Sequence, residues 1–277
     1  MTTKSLTATT IAFIIIAAPV LLESLKKGSC QRLRKVRLVI MIDIHCHLLT
    51  GVDDGPSNFE DSIKMLSEAQ KAGIRVIFST THLHKDIYSA NKVDDIYNEL
   101  SNRAKDFGIT LKHGYEVFVN TIETDSGNSF SMHTLDDSRY MLIEYPFYDF
   151  NKFTSQTEYI LKQKEIIPIL SHPERCRYFI ENPKVVMDLV EDGWQIQLDA
   201  ASIIGVYGVY TKNFAKLLIK QGKVNYVASN AHFPEDYRNW YLAAYNKVKS
   251  WAGSEYADCL FKKNAEIILN QRVLERR

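Results

Sequence analysis

Cysteine is scarce and unpaired in this 277-residue chain: Cys30, Cys46, Cys176 and Cys259 stand far apart, with no C-x-x-C pair. Such spacing excludes a disulfide scaffold and a cysteine zinc knuckle, and it suits a reducing compartment. Charge excess is missing as well, since 34 Lys and Arg face 33 Asp and Glu for a net charge of +1. The chain therefore has no general attraction to a phosphate polymer, and nucleic acid is not an expected partner. Two nucleotide and hydrolase signatures are lacking, the G-x-x-x-x-G-K-[ST] loop and the G-x-S-x-G elbow. Six positions beyond the four cysteines stand Val36, Val52, Asn182 and Ala265 rather than arginine, which removes cysteine-phosphate chemistry. No repeat or low-complexity tract interrupts a composition that is 45% hydrophobic and 24% charged, so an ordinary globular core is expected.

Long apolar runs are confined to the first forty residues. Ser5 to Leu22 carries no charge, and Lys26, Lys27, Arg32, Arg34, Lys35 and Arg37 follow closely. As a spanning helix the run is short and contains Pro19, and its basic flank would keep the C-terminal bulk in the cytoplasm. A cleaved signal peptide fits poorly, because the basic residues lie on the wrong side of the apolar run. Two readings of residues 1–40 remain, a membrane anchor or a working start at Met41, and residues 41–277 are expected to form one domain.

What is present from Val39 onward is an alternation of short β-branched runs with longer amphipathic segments. Strands are expected at Leu38 to Ile44, Arg75 to Ser79, Thr110 to Val119, Tyr140 to Ile143, Ile166 to Leu170, Gln195 to Leu198 and Asn225 to Ala228. Helical patterns lie between most of them, the clearest running from Pro56-Ser57 through Ile63, Leu66 and Ala69 to Gly73. Strand then helix, repeated about seven times, implies an α/β fold with parallel strands. His45, His47, His82, Glu116, Glu144, His172, Asn230 and His232 fall at or just beyond strand carboxyl ends. Those ends converge on one face only in a closed barrel, so a (β/α) barrel of about seven strands is expected.

The same residues carry the chemistry. Five of the eight histidines occupy strand ends, and His45-x-His47 points two imidazoles the same way, which gives one ion two nitrogen ligands. Glu116 and Glu144 add carboxylates that can bridge cations, and the mixed set suits Mn, Fe or Zn. In Gly51-Val52-Asp53-Asp54-Gly55, the two aspartates either orient a ligating histidine, bind metal, or form a solvated turn. Arg175, three residues after His172, is suited to bidentate grip on a phosphate, the alternative being a surface ion pair with Glu174. Lys85 and Arg238 are weaker candidates for substrate contact. Water activated by two or three cations is the chemistry that remains.

Asp43-Ile44-His45-Cys46-His47, Asp53-Asp54-Gly55-Pro56, Thr81-His82, Tyr115-Glu116, Ser138-Arg139-Tyr140-Met141-Leu142-Ile143-Glu144, Ser171-His172-Pro173-Glu174-Arg175 and Ser229-Asn230-Ala231-His232 occur in fixed order. Together they resemble the polymerase-and-histidinol-phosphatase superfamily. More narrowly, they resemble its bacterial manganese-dependent protein-tyrosine phosphatases of capsule and exopolysaccharide gene clusters. The resemblance spans Met41 to the C-terminus. It implies a distorted seven-stranded barrel with two or three Mn2+ ions on His45, His47, His82, Glu116, Glu144, His172, Asn230 and His232. Arg175 would bind phosphate, with His82 and Asp53 also catalytic. The implied partner is the phosphotyrosine tail of a membrane-associated bacterial tyrosine kinase, met in the cytoplasm, with membrane contact only through residues 1–40.

One position departs from that pattern. The last motif usually reads Ser-Asp-x-His, and Asn230 here replaces the aspartate with an uncharged ligand. Asn230 opens the alternative of a weakly active or inactive regulatory module, and because a metal site alone does not choose the leaving group, a small-molecule phosphatase of the histidinol-phosphate kind is the other. If Asn230 is simply a weakened ligand, Asn230→Asp is expected to raise metal affinity and turnover, which a metal titration and a phosphatase assay check.

Overall fold

Six residues, Met41–Cys46, form the first strand, β1, and all six are buried. Burial on both faces is what a parallel strand covered by helices requires. The computed structural model describes residues 40–83, 90–124, 133–147 and 155–271. After β1 come α1 (Phe59–Lys71), β2 (Ile74–Leu83), α2 (Ala90–Ala104), β3 (Thr110–Phe118) and α3 (Val119–Thr124). The middle holds β4 (Tyr140–Glu144), α4 (Ser155–Gln163), β5 (Ile167–Ser171), α5 (Arg177–Glu181) and α6 (Pro183–Glu191). Then follow β6 (Gln195–Asp199), α7 (Ala200–Ile204), α8 (Val209–Lys220) and β7 (Tyr226–Ala228), and last α9 (Leu242–Ala252), α10 (Ser254–Asp258) and α11 (Asn264–Asn270). The expected membrane anchor falls on residues 1–39, which lie outside the described residues, as does Lys85. Among the described residues no helix is long and apolar enough to cross a membrane.

The seven strands lie in the order β1-β2-β3-β4-β5-β6-β7, every neighbouring pair parallel. The seam between β7 and β1 closes beyond the strands: Cys46 bridges Ala231, His47 N donates to Ala231 O at 2.9 Å, and Asn230 N donates to His45 O at 2.9 Å. This is the seven-stranded barrel the motif order implied. Inside it, Ile42, Ile44, Phe78, Leu142, Ile169, Tyr226 and Ala228 pack together, joined by Ala265 and Ile268 of α11, which closes the end where the strands begin. A larger apolar layer lies between the strands and the outer helices.

Two departures from the expected elements matter for the site. β1 and β2 run further than expected, so that His45 and His82 lie within strands rather than after them. β1 is also bulged: Asp43 pairs with Ile77 and Cys46 with Ser79, so three residues span two on β2. A bulge reverses the side to which later side chains point. Ile42 and Ile44 therefore face inward before it, His45 and His47 face inward after it, and Cys46 packs outward.

Asp43, on the outward side, clamps the seam. Its buried carboxylate accepts hydrogen bonds from Ser229 N at 2.9 Å, from Ser229 Oγ, and from Tyr237 OH at 2.7 Å. Tyr237 is delivered by a wide π-turn, Tyr237–Tyr241, at the entrance to α9. Burial pushes the Asp43 carboxyl up to about 6, and the donors from Ser229 and Tyr237 hold it from rising further. Asp43→Ala leaves at least two buried donors without an acceptor, at about 1–3 kcal/mol each, whereas Tyr237→Phe removes one hydrogen bond worth about 1 kcal/mol. Urea unfolding in chelator is expected to rank the variants in that order.

Candidate metal centre

The strands deliver the polar residues to one end of the barrel. Glu116 comes from β3, Glu144 and Asp199 end β4 and β6, and His172, Asn230 and His232 follow β5 and β7. His172 at φ 32° and Asn230 at φ 48° adopt the left-handed conformation immediately beyond their strands. For residues with a Cβ this costs about 1–2 kcal/mol each, and it turns both side chains back toward the barrel mouth. After His172, the 3-10 turn Pro173–Arg175 is pinned to β6, because Glu174 Oε1 accepts from Asp199 N at 2.8 Å. Glu174 is thus buried and does not pair with Arg175 at the surface.

Outer partners fix which nitrogen each imidazole offers. His45 Nδ1 lies 3.1 Å from Gln197 Oε1, His47 Nδ1 lies 2.8 Å from Asp53 Oδ2, and His232 Nδ1 lies 2.9 Å from the Asn230 carbonyl. Each of these acceptors takes an Nδ1 proton, which leaves a lone pair on Nε2. The Nε2 atoms of His45 and His47 then converge to 3.1 Å, where one can donate to the other only while it carries a proton. Glu116 Oε2 adds a third concentration of electrons, 3.2 Å from His45 Nε2, 3.4 Å from His47 Nε2 and 3.2 Å from His82 Nδ1. Glu116 Oε2 and Asn230 Oδ1 are buried without a hydrogen-bond partner. Orphaned acceptors beside converging imidazole nitrogens are the pattern expected of ligands arranged for a cation.

Among the described residues, three groupings have ligand atoms within 4.8 Å of one another: His47, Asp54, His82 and His232; His45, Glu116 and His172; and His82, Glu116 and Glu144. Glu116 and His82 recur, as in a centre with adjacent ions and bridging carboxylates. Imidazole and carboxylate donors without thiolate fit a divalent transition ion.

The electrostatics agree. Burial opposes ionisation of Glu116, yet His45 and the other imidazoles hold its carboxyl well below the ordinary range. His172 is raised to about 9, because Asp199 and Glu116 outweigh its burial. Glu144 is pushed up to about 7 by burial and by the charge of Glu116. The mouth retains protons where it can, which is the response of a site short of positive charge.

Beside the cluster, Arg175 Nη1 donates to Asp199 Oδ2 at 3.0 Å, and its guanidinium lies between the rings of Phe147 and Tyr207, 4.7 and 4.4 Å from their centroids. A cleft of about 530 Å³ opens on the other side, lined by Val52, Leu83 and Phe118 together with Asp53, Asp54, His82 and Glu144.

Residues 41–270 match the family model described as "Capsular polysaccharide synthesis, CpsB/CapC". The chain belongs to this family. It is 34% identical over 243 residues to the tyrosine-protein phosphatase YwqE of Bacillus subtilis, covering 85% of this chain and 94% of that protein. The tyrosine-protein phosphatase CpsB of Streptococcus pneumoniae is 28% identical over 244 residues, covering 84% of this chain and all of that one. A crystal structure from a study of YwqE and that CpsB, described as unique metal-dependent tyrosine phosphatases, superposes with a TM-score of 0.75 at 33% identity, covering 86% of this chain and 97% of the other.

Within this CpsB/CapC chain, the structure gathers His45, His47, His82, Glu116, Glu144, His172 and His232 into the groupings above, and sets Asn230 beside them through its hydrogen bond to Asp199. The Asp53-Asp54 loop divides its work. Asp53 orients His47 and accepts from His82 N at 3.1 Å, while Asp54 faces His82 and His232. Gly55 keeps this loop close, since a Cβ there would meet the His47 carbonyl oxygen at 2.4 Å. Arg238 pairs with Glu68 on α1 at 3.1 Å. Gln197 and Asp199 were missed by the sequence reading, although their i, i+2 spacing at a strand end repeats the His45-x-His47 signal.

Because Asp53 acts through His47, Asp53→Ala is expected to weaken ion binding by about 10- to 100-fold, as read by calorimetric titration with Mn2+. The neutral acid form of Glu144 is a poor ligand, so affinity should rise as pH climbs through about 7, with a proton released on uptake. Titrations in buffers of different ionisation enthalpy measure that proton.

Proposed function

We propose that this chain is a metal-dependent protein-tyrosine phosphatase, and that its substrate is the phosphotyrosine tail of a membrane-associated tyrosine kinase of capsule synthesis, met at the cytoplasmic face. The observation that carries the reading is Glu116 Oε2 set against three imidazole nitrogens, beside the unpartnered Asn230 Oδ1, at the mouth of a CpsB/CapC barrel. The donor chemistry suits two or three Mn2+ ions, with Fe or Zn as the next choices. The assigned ligands are His45, His47, His82, Glu116, Glu144, His172, Asn230 and His232, with Asp54 added. Ions held there supply Lewis acidity that readies water near neutral pH and offsets the phosphoryl charge.

The protein's own part is binding and orientation. Arg175 presents its planar fork to the phosphoryl oxygens, with its plane fixed by Phe147 and Tyr207 and its Nη1 held by Asp199. Val52, Leu83 and Phe118 give the cleft an apolar wall that accepts a phenyl ring and excludes water from it. Asp53 keeps the Nδ1 proton on His47, so that Nε2 stays a ligand. A phenolate leaves with less protonation than an alkoxide, which suits a cleft walled largely by carbon.

With Mn2+ supplied, the full chain is expected to hydrolyse a phosphotyrosine peptide and to stop in chelator. His45→Ala should lower kcat/KM by at least about 100-fold, and Arg175→Lys should act mainly by raising KM. Faster turnover of histidinol phosphate than of the peptide would instead assign the site to a small-molecule phosphatase, and Mn2+ uptake with no turnover of either would overturn the enzymatic reading.

A further inference from the structure

We propose that Asp199 is the positioning residue of this centre: it supplies the negative charge that Asn230 lacks, and it sets which atoms Asn230 and His45 turn toward the ions. The proposal rests on the metallophosphatase reading above. Asp199 is fully buried, and its carboxylate accepts side-chain hydrogen bonds from Gln197, Arg175 and Asn230. Its Oδ1 accepts from Gln197 Nε2 at 3.0 Å, and its Oδ2 accepts from Arg175 Nη1 at 3.0 Å and from Asn230 Nδ2 at 3.1 Å.

An ionised carboxylate only accepts, so both neighbouring amides must offer it their nitrogens. Their oxygens are thereby sent the other way. Gln197 Oε1 goes to His45 Nδ1 and accepts a hydrogen bond from its N–H, leaving His45 Nε2 as the ligand atom. Asn230 Oδ1 is left buried and unpartnered, on a residue only 5% exposed whose own N is bonded to the His45 carbonyl. One carboxylate therefore decides two ligand atoms and holds the phosphate arginine.

Asn230 is then the neutral partner that Asp199 requires rather than a degraded ligand. A carboxylate in its place would set two acceptors about 3 Å apart and remove the N–H that now joins them. This reverses the expectation drawn from sequence alone for Asn230→Asp.

The test is a double-mutant cycle in the full chain: Asp199→Asn, Asn230→Asp, and the two combined. Mn2+ affinity and stoichiometry are read by calorimetry and elemental analysis, and kcat and KM are measured on a phosphotyrosine peptide. Each single variant is expected to weaken Mn2+ binding by about 10- to 100-fold, with Asp199→Asn also raising KM through Arg175. The combined variant is expected to regain at least about tenfold of the lost affinity, a coupling that a general loss of packing does not produce. If Asp199→Asn does not fold, Asn230→Asp decides alone, since a gain in affinity there overturns the proposal. Wild-type affinity in Asp199→Asn, or additive losses in the combined variant, overturns it while leaving the phosphatase reading intact. A folded wild-type chain that takes up no Mn2+ overturns both.

Discussion

Lone pairs and carboxylate oxygens crowd one end of the barrel, and only positive charge among them stabilises that arrangement. His45 and His47 aim ring nitrogens at each other across 3.1 Å, with the Glu116 carboxylate against both. Left to protons alone, such a group settles into a compromise in which Glu144 and His172 both hold on to hydrogen above their ordinary ranges. A divalent ion relieves the same deficit with fewer particles and with directional bonds to donors that converge on one mouth.

Holding that arrangement in a protein interior takes a scaffold that does not relax. The barrel provides it by drawing most ligands from the ends of paired strands, so that most donors are held by strands fixed to their neighbours. The strain is local and identifiable: a bulge in β1, and left-handed turns at His172 and Asn230. The weakest place in the ring is the seam between β7 and β1. There the ladder hydrogen bonds are replaced by the Asp43 clamp and by the bonds that join Asn230 and Ala231 to His45 and His47. Closure and ligand placement are therefore one structural event on that side of the barrel.

Much of this was legible in the chain. Seven β-branched runs gave strand positions within a few residues, and the histidines at their ends gave the face on which a site would form, because periodicity and strand ends are local properties of sequence. What was not legible depends on contacts between distant segments. The bulge in β1 is set by register against β2, and no feature of Ile42 to Cys46 announces it. A surface ion pair between Glu174 and Arg175 was the alternative the sequence left open, yet burial against β6 turns Glu174 inward and gives Arg175 to Asp199 instead. Asn230 read as a lost charge because the charge beside it sits on another strand, 31 residues away.

The division of labour around the ring follows from strand order. β5, β6 and β7 are neighbours, and their ends carry Arg175, Asp199 and Asn230. β2, β3 and β4 are neighbours on the other side, and their ends carry His82, Leu83, Phe118 and Glu144 along the apolar cleft. An aryl phosphate laid across the mouth thus meets carbon on one side and a fixed guanidinium on the other. His45, His47 and Glu116 are the most deeply buried donors of that mouth. Under the proposed function, a substrate held at both ends has its phosphorus oriented toward the ligands, so that orientation, more than any one contact, becomes the share of the chemistry that the polypeptide contributes.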